Sequence, residues 1–208
     1  MSDQIAAIIL GAGKGTRMKS DLPKVMMPLA GKPMIRHPID TLEQMGVKKI
    51  VVVTAPDGEM VRREVAPHLS CIQEKQLGTG HAVLSAKEQM KGFDGAVLVI
   101  FGDNPIITGE TYQMAADKVK EGYAVVVLGF RPADAARYGR LSWKTANSKR
   151  LSSSKTLPTR KRPSTSAIRA ACALTAKPCL NFWRRLVMKM PPASIILPMR
   201  LPLPVKRG

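Results

Sequence analysis

Ile5-Ala6-Ala7-Ile8-Ile9-Leu10, followed directly by Gly11-Ala12-Gly13-Lys14-Gly15, is the stretch that decides the fold. A continuous apolar run of this length is typical of a strand that is buried on both faces. The glycines that follow allow successive backbone N–H groups to approach an anion such as phosphate. The spacing is neither that of a P-loop, which needs a Lys-Ser/Thr pair, nor that of the dinucleotide-binding fingerprint. The stretch therefore predicts a buried strand that leads into an anion-binding loop.

Apolar runs alternate with segments of helical period along residues 1–141. We predict further strands at Lys49–Thr54, Leu69–Gln73, Ala96–Phe101 and Ala124–Phe130, and helices at Met34–Met45, Glu59–Ala66, Thr79–Met90 and from a cap at Thr108 to Glu121. This alternation indicates an α/β fold with a Rossmann-like, doubly wound, mostly parallel sheet. Because ligands bind beyond the carboxyl ends of such strands, the loops after Leu10, Gln73 and Phe101 should carry the function.

The acidic residues stop abruptly along the chain. Residues 1–141 contain 18 Lys and Arg against 15 Asp and Glu, whereas residues 142–208 contain 15 Lys and Arg and no acidic residue. The second segment also contains Ser152-Ser153-Ser154 and a proline-spaced end, and both are typical of irregular structure. We therefore predict a domain over 1–141 and an irregular basic tail over 142–208.

Charge, cysteine content and the lengths of the apolar runs limit which partners and which cellular compartment we expect. A pI near 10.3 would suit a nucleic-acid-binding protein, but residues 1–141 are nearly balanced in charge, so we expect no nucleic-acid partner. Cys71, Cys172 and Cys179 lack paired or metal-type spacing, which favours a reducing compartment. Neither a signal peptide nor an apolar run of membrane-spanning length is visible. We expect a cytoplasmic protein with no membrane partner.

The first loop continues to two cations, Arg17 and Lys24. Cations beside a triphosphate offset its charge, and Arg17 could also stabilise charge that develops on a transferred phosphoryl group. The alternative is an ordinary solvated loop with a proline turn.

The second loop reads Gln73-Glu-Lys-Gln-Leu-Gly78-Thr79-Gly80-His81. Glycines allow the backbone to meet a flat base edge, and the amide of Gln73 offers a donor and an acceptor together, as the reading of uracil requires. The alternative is that Thr79 simply caps a helix. We interpret His81 as a structural histidine.

The third loop, Phe101-Gly102-Asp103, follows a predicted central strand. A carboxylate at this point is well placed to hold Mg²⁺ against substrate phosphates, and the preceding glycine leaves room for a ligand. The alternative is that Asp103 caps the following helix.

Taken together, the motifs resemble those of the sugar-phosphate nucleotidyltransferases. The segments are Leu10 to Met18 with Leu22-Pro23-Lys24-Val25, Gln76 to Ala82, and Gly102-Asp103-x-Pro105. The second is the more specific, and it resembles the uridyltransferase half of the bacterial bifunctional N-acetylglucosamine-1-phosphate uridyltransferase / glucosamine-1-phosphate acetyltransferases. The resemblance runs from about Ile5 to Leu141. It implies the nucleotide-diphospho-sugar transferase fold, and transfer of UMP from UTP to N-acetylglucosamine 1-phosphate for cell-wall precursor synthesis.

The resemblance also implies roles for individual residues. Arg17 and Lys24 would be catalytic, and Asp103 would bind the Mg²⁺ cofactor. The expected nucleotide contacts are Leu10, Gly11, Ala12, Gly13, Lys24, Gln73, Gly78 and Thr79, and the expected sugar contacts are Phe101, Gly102 and Gly139. Another sugar-phosphate nucleotidyltransferase, or a nucleotide- or nucleic-acid-binding protein without catalysis, remains an alternative.

The tail lacks what the resemblance implies should follow, beginning with a Glu in a Val-Glu-x-Lys-Asp stretch. If each codon is shifted by one base, Trp143–Lys155 can be read as Leu-Glu-Asp-Gly-Glu-Leu-Lys-Ala-Ile-Val-Glu-x-Lys, and two later stretches give similar matches. Ser153 then stands where the functional Glu should be. We predict that 142–208 is out-of-frame sequence and that the chain is impaired. The alternatives are a real basic extension that binds RNA or anionic lipid and a solvated tail without a role.

The family's acetyltransferase β-helix is not visible in this sequence. The homotrimer of the full-length family depends largely on that half, so we expect no trimer here.

Overall fold

The computed structural model describes residues 4–13, 20–123 and 125–128 in full, and the backbone of 139–143, 149–152, 167–168 and 172–175. The strands are β1 (Ile5–Leu10), β2 (Pro28–Leu29), β3 (Lys32–Pro33), β4 (Lys49–Thr54), β5 (Leu69–Ile72), β6 (Ala96–Phe101), β7 (Val125–Val127), β8 (Gly139–Trp143), β9 (Lys149–Ser152), β10 (Ala167–Ile168) and β11 (Cys172–Thr175). The helices are α1 (Arg36–Gln44), α2 (Glu59–Glu64), α3 (Thr79–Ser85) and α4 (Gly109–Lys120), with a short 3-10 turn at Lys24–Met26.

The central sheet has the order β5-β4-β1-β6-β11-β7. Strands β5, β4, β1 and β6 run parallel, and β11 runs antiparallel to both β6 and β7. From β1 the chain moves outward to β4 and β5 and then returns to β6 on the other side of β1. The direction of winding therefore reverses between β1 and β6, and a crevice at their carboxyl ends is the expected ligand site.

Helices cover both faces of this sheet, which confirms the doubly wound prediction. On one face α1, α2 and α4 pack with Ile39, Val61 and Tyr112 against alternate strand residues such as Ile9. On the other face α3 packs with Val83 against the intervening residues such as Ile8. Because side chains alternate along a strand, an uninterrupted apolar run serves both layers.

Most predicted elements are confirmed, with ends that shift by one or two residues. The exception is the helix predicted at Thr79–Met90, because α3 ends at Ser85. Beyond this point Ala86 and Lys87 donate to the carbonyls three residues earlier, at 3.2 and 3.1 Å. Ala86 and Met90 nevertheless remain buried. The apolar periodicity thus continues through tight turns, which is why the sequence pattern overstates the helix. The strand predicted at Ala124–Phe130 also ends early, at Val127, because Leu128 is not part of it. Ala124, Gly129 and Phe130 lie outside the described residues.

The tail contains the short strands β9, β10 and β11, so it is not irregular throughout. Strand β11 pairs with β6 from Cys172↔Val99 to Thr175↔Ala96, and with β7 from Cys172↔Val127 to Leu174↔Val125. Without a neighbour on that side, β6 would leave backbone N–H and C=O groups unpaired in the middle of the fold. A short, mainly apolar segment satisfies them despite its basic surroundings.

No helix in the described part of the chain is long and apolar enough to cross a membrane.

Candidate active site

A cavity of about 320 Å³ lies at the carboxyl ends of β1 and β6, where the three predicted loops meet. It is lined by Leu10, Ala12, Gly13, Lys24, Val25, Gln73, Gln76, Gly78, Thr79, Ala82, Phe101 and Asp103. Nine of these were predicted from the sequence as site residues, although they lie up to 93 positions apart. The topology thus brings together residues that the motifs had identified one loop at a time.

The floor of the cavity depends on two close backbone approaches. Gly11 N donates to Val53 O at 2.8 Å, which extends the pairing of β1 with β4 by one residue. Gly102 N donates to Leu10 O at 3.0 Å, which extends the pairing of β6 with β1 in the same way. A Cβ at Gly102 would lie 3.1 Å from both Leu10 O and a methyl carbon of Val25. This glycine therefore makes room for neighbouring protein atoms, whereas the sequence predicted room for a ligand. Gly11 and Gly102 thus do not line the cavity themselves, but their backbone bonds hold the chain beside the residues that do.

Lys24 and Asp103, which both line the cavity, form an ion pair. Lys24 begins the 3-10 turn after Pro23, and Asp103 follows β6 in a turn closed by Asn104 N donating to Phe101 O at 3.0 Å. Their side chains are 31% and 21% exposed, so both charges are partly shielded from water and still reachable by a ligand. A partly desolvated cation and anion held side by side can separate to meet a phosphate and a metal ion.

Asp103 does not cap the helix that follows it. The N-cap of α4 is Thr108, whose side chain accepts a hydrogen bond from Thr111 N at 3.4 Å, as predicted. The capping alternative for Asp103 is therefore wrong.

The second loop turns at Gly78, whose φ of 104° lies in the left-handed region that favours glycine. Gly78 itself is the N-cap residue of α3, and no side chain caps this helix. The alternative in which Thr79 serves as the cap is therefore wrong. Thr79 instead occupies the first helical position and lines the cavity.

Gln73 is the one strongly buried polar side chain of the cavity lining, with 4% of its surface exposed. Its Nε2 donates to Gly78 O at 3.2 Å and contacts His81 Nδ1 at 3.2 Å. Its backbone N donates to Thr54 O at 2.8 Å, which fixes the residue at the end of β5. Two contacts therefore hold the nitrogen of the side-chain amide, and a fixed orientation of this kind is what recognition of a particular base requires.

Three lining residues, Val25, Gln76 and Ala82, were not predicted as site residues. Gln76 Nε2 donates to Ala12 O at 2.8 Å and so ties the second loop to the glycine-rich loop. The presence of Gln76 within the specific motif was the available signal, but its partner 64 positions away could not be read from local sequence.

Two other predicted residues are less fully described. Arg17 lies outside the described residues. Gly139 begins β8 and pairs with Ile168 of β10 in a separate three-stranded sheet. Their predicted roles therefore remain predictions.

A metal ion at this site would have to rely on few protein ligands. No group of three or more His, Cys, Asp or Glu side chains that could hold a metal ion occurs among residues 4–13, 20–123 and 125–128. Mg²⁺ is commonly held by one or two carboxylates together with substrate phosphates and water. A single carboxylate beside a cavity and a cation fits that mode.

Curated relatives named bifunctional protein GlmU match the chain over 138 to 146 residues. That of Paramagnetospirillum magneticum is 52% identical over 142 residues, covering 67% of this chain and 32% of the relative. That of Rhodospirillum rubrum is 53% identical, covering 65% of this chain and 31% of the relative. The chain thus spans about a third of the length of these relatives. They confirm the resemblance inferred from the motifs.

Solved structures share the fold at low sequence identity. A Bacillus anthracis protein assigned as a glucose-1-phosphate thymidylyltransferase has a TM-score of 0.73 at 17% identity, covering 90% of this chain and 76% of the other. A UDP-glucose pyrophosphorylase has a TM-score of 0.64 at 19% identity, covering 86% and 78%. The family of the MobA-like NTP transferase domain matches residues 7–176, which include all three loops of the cavity and extend through β11. The chain is therefore a nucleotidyltransferase of the MobA-like NTP transferase domain family.

Proposed function

We propose that the cavity binds UTP and N-acetylglucosamine 1-phosphate and catalyses formation of UDP-N-acetylglucosamine and pyrophosphate, a step of cell-wall precursor synthesis. A phosphate oxygen of the sugar attacks the α-phosphorus of UTP in line. The new O–P bond forms as the bond between the α-phosphorus and the bridging oxygen breaks, and that oxygen leaves with pyrophosphate. No covalent protein intermediate is required, so catalysis rests on positioning and charge neutralisation.

The observation that carries the proposal is the convergence of the three motif loops on one cavity, whose lining includes the ion pair of Lys24 and Asp103. The backbone of Gly11, Ala12 and Gly13 would line the nucleotide beside Leu10, and Lys24 would contact its phosphates. Gln73, Gly78 and Thr79 would meet the uracil. Arg17 would assist transfer, Phe101 and Gly139 would approach the sugar, and Gly102 would meet it with backbone atoms only.

Asp103 would hold the Mg²⁺ cofactor against the substrate phosphates. The ion would neutralise charge that develops on the phosphates during transfer. In this structure Lys24 contacts the same carboxylate, so we expect Lys24 to turn from Asp103 to a phosphate when substrate and metal bind.

The test is a uridyltransferase assay on the full chain with UTP, Mg²⁺ and N-acetylglucosamine 1-phosphate, followed by pyrophosphate release. We expect weak turnover that Asp103→Asn abolishes, with Lys32→Ala as the control because Lys32 pairs with Asp40 outside the cavity. Turnover that persists in Asp103→Asn at the parental rate would contradict the metal role. Selective use of another nucleotide triphosphate would favour a related sugar-phosphate nucleotidyltransferase.

We expect weak turnover because we also propose that residues 142–208 are translated out of frame. Three observations support this: the segment has no acidic residue, its shifted reading regains family motifs in order, and the matches to GlmU relatives extend over 138 to 146 residues. The proposed functional Glu at the position of Ser153 would then be missing. Sequencing the encoding DNA across residues 138–146 tests this, and an uninterrupted frame with no family codons in the neighbouring frame would contradict it.

A second candidate is a nucleotide-binding protein that performs no chemistry. The cavity would serve such a protein equally well, because binding needs the loops and Lys24 but no metal-dependent step. UTP binding without any pyrophosphate release, in this chain and after restoration of the frame, would favour it.

A further inference from the structure

The amide of Gln73 is held in one orientation by two acceptors. Gly78 O is a carbonyl oxygen and can only accept, so the amide atom 3.2 Å from it must be the nitrogen. The same nitrogen lies 3.2 Å from His81 Nδ1. Both hydrogens of the amide group therefore have partners within the protein, and this orientation leaves Oε1 as the amide atom available to a ligand.

The contact also fixes the tautomer of His81. The amide nitrogen of Gln73 has no lone pair to offer, so His81 Nδ1 must accept and the ring proton must reside on Nε2. His81 lies on α3, one helical turn before Ser85, whose Oγ donates to His81 O at 3.1 Å. The ring is thus carried by a helix whose first turn lines the cavity.

We propose that His81 is a positioning residue that selects the base through Gln73. This inference rests on the proposed function, in which Gln73 contacts the base. It adds that Gln73 accepts the hydrogen bond and the base donates it. With Nε2 engaged by Gly78 O and His81 Nδ1, Gln73 presents an acceptor to the cavity. An acceptor matches a base that carries an imino N–H, such as N3–H of uracil, and meets a lone pair at N3 of cytosine.

Without His81 only one of the two amide hydrogens of Gln73 keeps a partner. If the amide then rotated, Oε1 would face only one unfavourable partner, the carbonyl oxygen of Gly78. In this rotated form Nε2 would point into the cavity and would offer a donor in place of an acceptor. Loss of a hydrogen bond to a buried polar group changes an equilibrium by about tenfold. Discrimination between the two pyrimidines should fall by about this factor, while phosphate contacts made by Lys24 are unaffected.

Two matched variants test the role of the ring acceptor. His81→Asn keeps an acceptor near the position of Nδ1, and His81→Phe keeps a planar ring without any acceptor. The measurement is the ratio of UTP to CTP affinity for the full chain, by calorimetric titration in Mg²⁺, with thermal melting to show that each variant is folded. We expect the ratio in His81→Phe to fall about tenfold and His81→Asn to retain the parental ratio to within about twofold. His81→Ala repeats the measurement with a smaller side chain.

The outcomes separate the inference from the function on which it rests. Retention of the parental ratio in both His81→Phe and His81→Ala would overturn the positioning role and leave UTP binding intact. Equal loss in His81→Asn and His81→Phe would overturn it as well, because the acceptor would then not be the feature that matters. A parental chain that binds UTP no better than CTP would contradict the proposed reading of the base itself.

Discussion

Residues 1–141 and 142–208 contribute to the same sheet from very different sequences. In the first segment every central strand of the described structure is predicted by a continuous apolar run, and charges of both signs are interspersed. In the second, β11 enters the sheet between β6 and β7 from a segment with no acidic residue. The difference teaches that a position in the sheet between two strands can be filled by a short, mainly apolar segment even where the surrounding sequence is basic.

Restoring the reading frame after residue 141 should produce the largest change. If 142–208 is out of frame, the restored sequence supplies a carboxylate at the position of Ser153 while leaving residues 1–141 unchanged. Loss of one preorganised group that stabilises charge in the transition state costs about 100- to 1,000-fold in turnover. We therefore expect the restored chain to exceed the present one in pyrophosphate release by at least about 100-fold. Equal turnover in the two chains would show that the second segment is functional as written.

Ala173→Pro tests whether β11 holds the sheet as the structure indicates. Ala173 pairs with Leu98 of β6 on one side and with Val126 of β7 on the other. Because proline has no backbone N–H, it would remove a hydrogen bond from a strand that lies between two others. We expect the free energy of unfolding to fall by about 3 kcal/mol, by analogy with proline in a regular element. Chemical denaturation measures it, with Ala173→Val as the control. Unchanged stability in Ala173→Pro would mean that the first segment folds without the second.

Gly95→Ala probes the first segment at the opposite end of the sheet. A Cβ at residue 95 would lie 2.3 Å from Gln4 O, so the backbone ahead of β1 or β6 must shift. Overpacking of this kind costs about 1 to 3 kcal/mol. Gly13→Ala is the matched control, since a Cβ there would meet no atom within 4 Å. Equal melting temperatures for the two variants would contradict the close approach.

Much of the fold could be predicted because its determinants are local. The strand from Ile5 to Leu10 and the cap at Thr108 are confirmed because burial on two faces and a side-chain cap leave direct marks in the sequence. The end of α3 could not be predicted from periodicity, since Ala86 and Met90 stay buried after the helix has ended.

The site likewise has features that the sequence predicts and features that only the folded chain determines. The types and spacing of Lys24, Gln73 and Asp103 indicate phosphate, base and metal chemistry before any geometry is known. Their partners depend on tertiary contacts that no local pattern contains. The contact of Gln76 with Ala12 and the pairing of Lys24 with Asp103 are of this kind, and only the topology brings them together.

Titration of UTP with Mg²⁺ into the full chain, compared with Lys24→Ala and Lys32→Ala, most directly tests the claim that the first segment builds a nucleotide site. Each lysine pairs with an aspartate, but only Lys24 lines the cavity. A hydrogen bond to a charged group contributes about 1.5 to 3 kcal/mol, so Lys24→Ala should weaken UTP binding about 10- to 100-fold. Lys32→Ala should bind as the parent does. Equal affinity in Lys24→Ala and the parent, or no UTP binding by a folded parent, would contradict the account.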